Sequence, residues 1–185
     1  MTDRSADVVV VGLGPGGEAL AERLAHQGSD VIGIERELVG GECPYWGCIP
    51  TKMMVRAADA LAEARRIDRL AGRATVDADF GPVARRIREE GTDNWDDRVA
   101  VERFEAAGGH FVRGEARLDG PGAVVVGGDR ITARQAIVLN VGTRPTIPPI
   151  PGLADVDAWT NREAVATEQA PSSLAVLGAW VRTCQ

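Results

Sequence analysis

Cys43 and Cys48, five residues apart, are the side chains of this 185-residue chain best suited to chemistry. They lie in the run Gly40-Gly41-Glu42-Cys43-Pro44-Tyr45-Trp46-Gly47-Cys48-Ile49-Pro50-Thr51-Lys52. Pro44 and Gly47 allow a distorted first helical turn in which the two thiols can come close enough to bridge. A helix N-terminus also favours the thiolate, which is the reactive form. Two other readings stand beside a redox pair: inert core cysteines, and half of a zinc site. Zinc would need further ligands from Cys184, His26 or His110, and none of these stands at ligand spacing. Lys52 is the one lysine among 21 basic residues. It is either a cation placed near the thiols or a surface lysine with its stem lying on the protein.

A second constellation lies near the N-terminus. Gly12-x-Gly14-x-x-Gly17, with Pro15 inside it, follows an apolar run and opens a helical pattern, and an acid, Glu35, stands eighteen residues beyond the last glycine. Such glycines permit a tight turn and let a pyrophosphate approach a helix N-terminus. A carboxylate ending the next strand can accept hydrogen bonds from ribose hydroxyls. The bland alternative is a glycine turn with no ligand. The pattern itself does not separate FAD from NAD.

The elements that must position these residues follow from periodicity. The continuous run Asp7 to Val11 predicts a strand buried on both faces, and Ala19, Leu20, Leu24 and Ala25 predict a helix closed by Gly28. Val31 to Ile34 predicts a second strand ending at Glu35, so the start reads as a β-α-β unit with a parallel sheet. Cys43 to Arg66 predicts one long helix with an irregular start, Pro50 being tolerated in its first turn. Phe80 to Ala107 carries apolar residues at helical spacing and predicts a surface helix pair ending at Gly108-Gly109. The runs His110 to Val112, Ala123 to Val126, Ile131 to Ala133 and Ala136 to Leu139 predict a small β-meander returning to the main sheet. Four prolines between Pro145 and Pro151 predict a linker. The division expected is residues 1–146 as a dinucleotide-binding domain and 147–185 as a linker plus the start of a second domain. Ser173 to Gly178 reads there as a new strand followed by glycine.

Composition narrows the partners. Net charge is −6 and the arginines are scattered among acids, which disfavours a nucleic-acid backbone. No apolar run approaches the roughly 20 residues needed to span a bilayer, and the acidic N-terminal flank is unlike a signal peptide. The expected setting is cytoplasmic, with no metal site. Three cysteines in such a setting argue against a structural disulfide framework.

The stretch G-G-x-C-x-x-x-x-C-I-P-T-K resembles the redox-active segment of the class I flavoprotein disulfide reductases, the pyridine nucleotide-disulfide oxidoreductases that include dihydrolipoamide dehydrogenase, mercuric reductase and mycothione reductase. The likeness runs from Asp7 to about Gly178 and includes Ile137-Val138-Leu139, Gly142-Thr143-Arg144-Pro145 and Ile150-Pro151-Gly152. The resemblance implies an α/β, Rossmann-like FAD-binding domain with a parallel sheet and a small β-meander. It implies electron flow from NAD(P)H via FAD to a Cys43–Cys48 disulfide and on to a disulfide or metal-ion substrate. Cys43 would be the thiol that meets the substrate and Cys48 the thiolate against the flavin, with Lys52 a cation beside it. Gly12, Gly14, Pro15, Gly17, Glu35, Gly41 and Glu42 would line the cofactor. Glu115 and Ala116 would bring backbone groups to the adenine, and Gly142 would lie near the flavin phosphates. Full-length relatives are homodimers.

There are three departures from the family pattern: Glu42 stands where Thr is common, Tyr45-Trp46 where Asn-Val is common, and Asn140-Val141 where Ala-Thr precedes Gly142. Trp46 reads more readily as core packing than as a substrate contact. The family's second nucleotide-binding domain and interface domain are not expected within these residues, and Ala179 to Gln185 do not continue the family's glycine pattern. A one-base frame shift through the codons for Trp180 to Gln185 permits Gly-Cys-Glu-Leu-Ala, which is the family's type of sequence, and makes Cys184 an accident of the tail. The expectation is therefore an N-terminal fragment without turnover of its own, the alternative being an autonomous FAD-binding redox module.

Overall fold

Why the run Val8 to Val11 holds no polar residue becomes clear from its two faces. A computed structural model describes residues 3–177, in which β1 (Asp3–Val11) lies inside a six-stranded sheet. Val8 and Val10 point into one buried cluster with Leu13, Ala21, Ala25, Val31, Val39 and Phe104, while Ala6 and Val9 point into another with Ile32, Ile34, Val124, Val126 and Ile131. Side chains alternate across a strand, so a strand covered on both sides must be apolar at nearly every position.

The remaining elements are α1 (Pro15–His26), β2 (Val31–Glu35), α2 (Glu42–Tyr45), α3 (Cys48–Arg65), α4 (Gly81–Arg86), α5 (Arg98–Ala106), β3 (His110–Arg113), β4 (Ala116–Leu118), β5 (Ala123–Val126), β6 (Asp129–Leu139) and α6 (Asn161–Ala166). Strand order is β3-β2-β1-β6-β5-β4. The first four strands in that order are mutually parallel, and β5 and β4 extend the sheet antiparallel. This is the mixed α/β, mostly parallel architecture that the sequence predicts.

The chain forms two compact units, Met1–Cys43 with Trp95–Arg144, and Pro44–Asn94 with Pro145–Gln185. The first holds the whole sheet. Its α5 lies close against the sheet because two glycines make room for Phe104: a Cβ on Gly33 would come within 2.8 Å of the ring, and one on Gly109 within 2.2 Å. Arg103 on α5 bonds Glu22 on α1 at 2.7 Å and also pairs with Glu18. Burial pushes the Glu18 carboxyl up despite that guanidinium.

In the second unit α3 carries Ile49 and Met53 against Gly91, which ends a π-turn at Ile87–Gly91. Thr160 and Glu163 form a reciprocal capping box that starts α6. Asn161 Nδ2 donates to the Trp46 carbonyl at 2.9 Å, and the Arg162 guanidinium lies 5.5 Å from the Trp46 ring centre.

Several local expectations are corrected. The helix predicted from Cys43 to Arg66 is two helices, because the chain breaks at Trp46-Gly47, where Gly47 adopts φ −131° and ψ −105°. The helix pair predicted over Phe80 to Ala107 is interrupted by the π-turn and by three consecutive left-handed residues, Asp93, Asn94 and Trp95, while Ile87 and Phe104, two of the apolar residues at its helical spacing, are fully buried. His110–Arg113 does not join the meander; it pairs parallel with β2. The two strands predicted at Ile131 to Ala133 and Ala136 to Leu139 are one, with a bulge at Arg134-Gln135 where a turn is predicted. The bulge aims Arg134 at Asp7 (3.0 Å), Asp30 (2.9 Å) and Ser5 (3.1 Å). Residues 173–177 are not a strand, and Gly178 to Gln185, with the tail containing Cys184, lie outside the described residues. No helix among the described residues is long and apolar enough to cross a membrane.

Candidate functional site

Parallel pairing brings the carboxyl ends of four strands to one edge of the sheet. Val11 is in register with Ile34 and with Leu139, and Glu35 with Arg113. The turn after β1, Glu35 at the end of β2, Gly114-Glu115-Ala116 after β3 and Asn140-Val141-Gly142 after β6 therefore share that edge. In open α/β sheets this is where ligands bind.

The glycine turn has no room for a side chain at Gly12 or Gly17. Gly12 is left-handed (φ +92°), and a Cβ there would stand 2.2 Å from the Asn140 carbonyl oxygen. A Cβ on Gly17 would stand 2.0 Å from the Gly12 carbonyl oxygen. Gly14 is the N-cap of α1 with Pro15 just after it, and no side chain hydrogen-bonds to this cap. Backbone N–H groups at an uncapped helix start, with no Cβ to fill the approach, suit the pyrophosphate of a dinucleotide.

Glu35 closes the other side of the turn. Its Oε2 accepts from Leu13 N at 2.8 Å and its Oε1 from Glu37 N at 2.8 Å. Each carboxylate oxygen keeps a further acceptor site, which is what a ribose hydroxyl requires. The carboxylate thus sits at the end of β2 and faces the glycine turn, as the spacing predicts.

The loop from Arg36 to Gly41 is docked on the same turn. Gly40 N donates to the Leu13 carbonyl at 2.7 Å. Gly41 is left-handed (φ +63°), and its missing Cβ would stand 2.8 Å from the Gly14 Cα. Glu42 and Cys43 follow directly, so the chain leads from the turn into the cysteine segment. Cys43 lies in α2; Cys48 is the first residue of α3, a helix of 18 residues, where the aligned peptide dipoles favour negative charge. Both cysteines are half-buried. Thr51 Oγ1 donates to the Gly47 carbonyl at 2.6 Å and ties the broken turn to α3. Lys52 is exposed on α3.

Glu115 is exposed between β3 and β4, and Ala116 opens β4 opposite Val126. Gly114 N donates to the Glu35 carbonyl at 3.0 Å, which brings this segment beside the end of β2. Gly142 is left-handed (φ +66°) with nothing around its Cβ position, and the neighbouring Val141 is 69% exposed.

Two residues of the first unit make contacts that the sequence does not announce. Asn140 Nδ2 donates to the Gly12 carbonyl at 3.3 Å. Its signal is its departure from the small residue usual at that position. Asp97 accepts from Val39 N at 2.7 Å and from Arg113 Nη2 at 2.5 Å, while Arg113 also reaches the Glu37 carbonyl. Nothing local in the sequence marks that long-range contact. Among the described residues no group of three or more His, Cys, Asp or Glu side chains is placed to hold a metal ion.

Comparison with known proteins agrees with this geometry. The sequence model of the pyridine nucleotide-disulphide oxidoreductases matches residues 6–181. Mercuric reductase of Acidithiobacillus ferrooxidans is 32% identical over 183 residues, covering 94% of this chain and 33% of that protein. Dihydrolipoyl dehydrogenase of Halobacterium salinarum is 34% identical over 186 residues, covering 93% of this chain and 37% of that protein. Among solved structures, the HOCl-induced flavoprotein disulfide reductase RclA from Escherichia coli superposes with a TM-score of 0.72 at 24% identity, over 88% of this chain and 34% of that chain, and supports the fold. The chain thus spans about a third of the length of the relatives it matches. These relatives are FAD-dependent oxidoreductases. A glycine turn and a strand-end acid, followed in the chain by a segment with two cysteines, together with a match over almost the whole chain, place it in the pyridine nucleotide-disulphide oxidoreductase family.

Proposed function

We propose that this chain is the FAD-binding part of an NAD(P)H-dependent flavoprotein disulfide reductase, with Cys43 and Cys48 as its redox pair. The observation that carries the reading is the contact of Gly41 with Gly14, which joins the cysteine segment to the dinucleotide turn. FAD, when bound, supplies the two-electron carrier between a nicotinamide and a disulfide. The N–H groups at the start of α1 would hold its pyrophosphate, Glu35 its adenosine ribose, and the backbone at Glu115-Ala116 its adenine. Gly41, Glu42, Lys52 and Gly142 are the remaining positions proposed to line it.

The chain's own part in the reaction is thiol–disulfide exchange. In the dithiol form the Cys43 thiolate attacks one sulfur of a substrate disulfide, forming a mixed disulfide while the second substrate sulfur leaves and takes up a proton. The Cys48 thiolate then attacks the Cys43 sulfur, which releases the first substrate sulfur as a thiol and leaves the Cys43–Cys48 disulfide oxidised by two electrons. A thiophilic metal ion is the other substrate class consistent with two such thiols. Family likeness supports a homodimer and a cytoplasmic setting for the whole enzyme.

A polypeptide of these 185 residues spans a third of its relatives, so it is expected to take up FAD without NADH- or NADPH-driven turnover. Purified chain given FAD, either nicotinamide, and lipoamide or oxidised glutathione tests both statements. Flavin retention with no turnover above free flavin is the expected outcome. Failure to retain flavin overturns the FAD reading. Saturable turnover abolished by Cys48→Ser overturns the expectation of inactivity.

A further inference from the structure

The peptide group between Gly12 and Leu13 is held at both ends by side chains from the two strands that flank β1. Its N–H donates to Glu35 Oε2 at 2.8 Å, from the end of β2. Its C=O accepts from Asn140 Nδ2 at 3.3 Å, from the residue after β6. Asn140 is itself anchored, since its backbone N donates to the Val11 carbonyl at 2.8 Å. Its amide also fills the inside of the turn: the Cβ positions of Gly14, Gly16 and Gly17 lie 3.3, 3.2 and 2.9 Å from its side-chain nitrogen or oxygen.

Glycine sets no preferred backbone orientation of its own, so a turn made of glycines gains its shape from what surrounds it. Rotating this one peptide group by half a turn would withdraw its N–H from Glu35 and aim its carbonyl oxygen away from Asn140. A carbonyl turned outward at an anion site is repulsive. An amide that donates to the carbonyl from inside, opposite a carboxylate that accepts the N–H, opposes that rotation from both ends. The small residue that the family pattern has in place of Asn140 cannot do so.

We infer that Asn140 is a positioning residue of the dinucleotide site, which holds the Gly12–Leu13 peptide in the orientation that accepts a pyrophosphate and acts through the same peptide as Glu35. The inference rests on the FAD-binding reading above. It makes part of the affinity for FAD a matter of preorganising the turn, not of direct contact with the ligand.

The test is FAD titration of the full chain by flavin fluorescence, with amide hydrogen exchange of the flavin-free protein as a second readout. Asn140→Ala should weaken FAD affinity about five- to tenfold, the loss of one modest hydrogen bond. Asn140→Asp should weaken it further, because an acceptor then faces the Gly12 carbonyl. Glu35→Gln combined with Asn140→Ala should lose less than the product of the single effects, since both act on one peptide group. In flavin-free Asn140→Ala the Leu13 amide should exchange faster, while Val9 and Val10 keep their protection. Should that variant fail to fold, Asn140→Ser, which shortens the reach to the carbonyl, carries the same two readouts. A wild-type chain that binds FAD no better than Asn140→Ala, with Leu13 exchange unchanged, overturns the inference alone. A wild-type chain that takes up no FAD overturns the functional reading and the inference with it.

Discussion

Asp97 and Arg113 meet at 2.5 Å beside the loop that carries the chain from β2 to the cysteines. Asp97 is 8% exposed and immediately precedes α5 without its side chain capping that helix, while Arg113 ends β3 and stacks 4.7 Å from the centre of the Phe111 ring. The same Asp97 oxygen accepts from Val39 N, and Arg113 donates to the Glu37 carbonyl. One ion pair thereby fixes a loop that has no regular structure of its own, upstream of Gly41 and Cys43. Asp97→Ala should lower stability by about 2–3 kcal/mol, because a buried N–H and a guanidinium lose their acceptor together. Asp97→Asn keeps an acceptor for Val39 and should lose about half as much. Urea unfolding of the two variants checks this, and equal stability of Asp97→Ala and wild type would show the contact to be idle.

Cys43 and Cys48 should titrate as a reductant-dependent pair. Native protein treated with an oxidant and then with a thiol reagent should show two thiols fewer than the reduced form. Either Cys43→Ser or Cys48→Ser should abolish that difference, whereas Cys184→Ser should leave it intact. A difference that survives Cys43→Ser would place the redox pair elsewhere.

Phe104 and Gly109 should be energetically coupled. A methyl group at residue 109 has no room beside the ring, which is itself 1% exposed, so Gly109→Ala should cost about 1–3 kcal/mol through overpacking. Phe104→Leu shortens the side chain and should recover part of that loss when the two substitutions are combined. Purely additive losses in thermal unfolding would mean that the two positions do not share this space.

The Arg134 guanidinium, with a further contribution from the Asp30 backbone, holds the Asp7 carboxyl below the usual carboxylate range. Between this lowered folded value and the ordinary unfolded value of about 3.9, the unfolded chain binds more protons. Stability from Asp7 is therefore present above the unfolded value and is lost as pH falls through the folded one. Asp7→Asn should flatten the acid limb of stability against pH and leave its slope near neutrality unchanged. Acid unfolding curves of the two proteins that superimpose after normalisation would contradict this.

The sequence by itself determined what depends on residue type at short range. Gly12, Gly14 and Gly17 announce a tight turn, at whose Gly12 and Gly17 no side chain can enter. The alternating faces of Val8 to Val11 announce a strand covered on both sides, and a motif as specific as the paired-cysteine segment announces the family. Glu35 was legible because strand length and helix length between it and the glycines are set locally. Tertiary structure decided what depends on which distant segments meet. Whether Arg134-Gln135 is a turn or a bulge depends on Asp7 and Asp30 being there to receive Arg134. Whether His110–Arg113 joins the meander or the parallel sheet depends on the free edge of β2. Helical spacing marks Phe104 as apolar-face, but that its ring packs on Gly33 and Gly109 is decided only when those glycines are brought to it. Asn140 stands 128 residues from Gly12, and no local pattern says that its amide closes on the Gly12 carbonyl. Periodicity reports how a segment meets its own neighbours in the chain, whereas a contact between remote residues exists only once the sheet has ordered its strands.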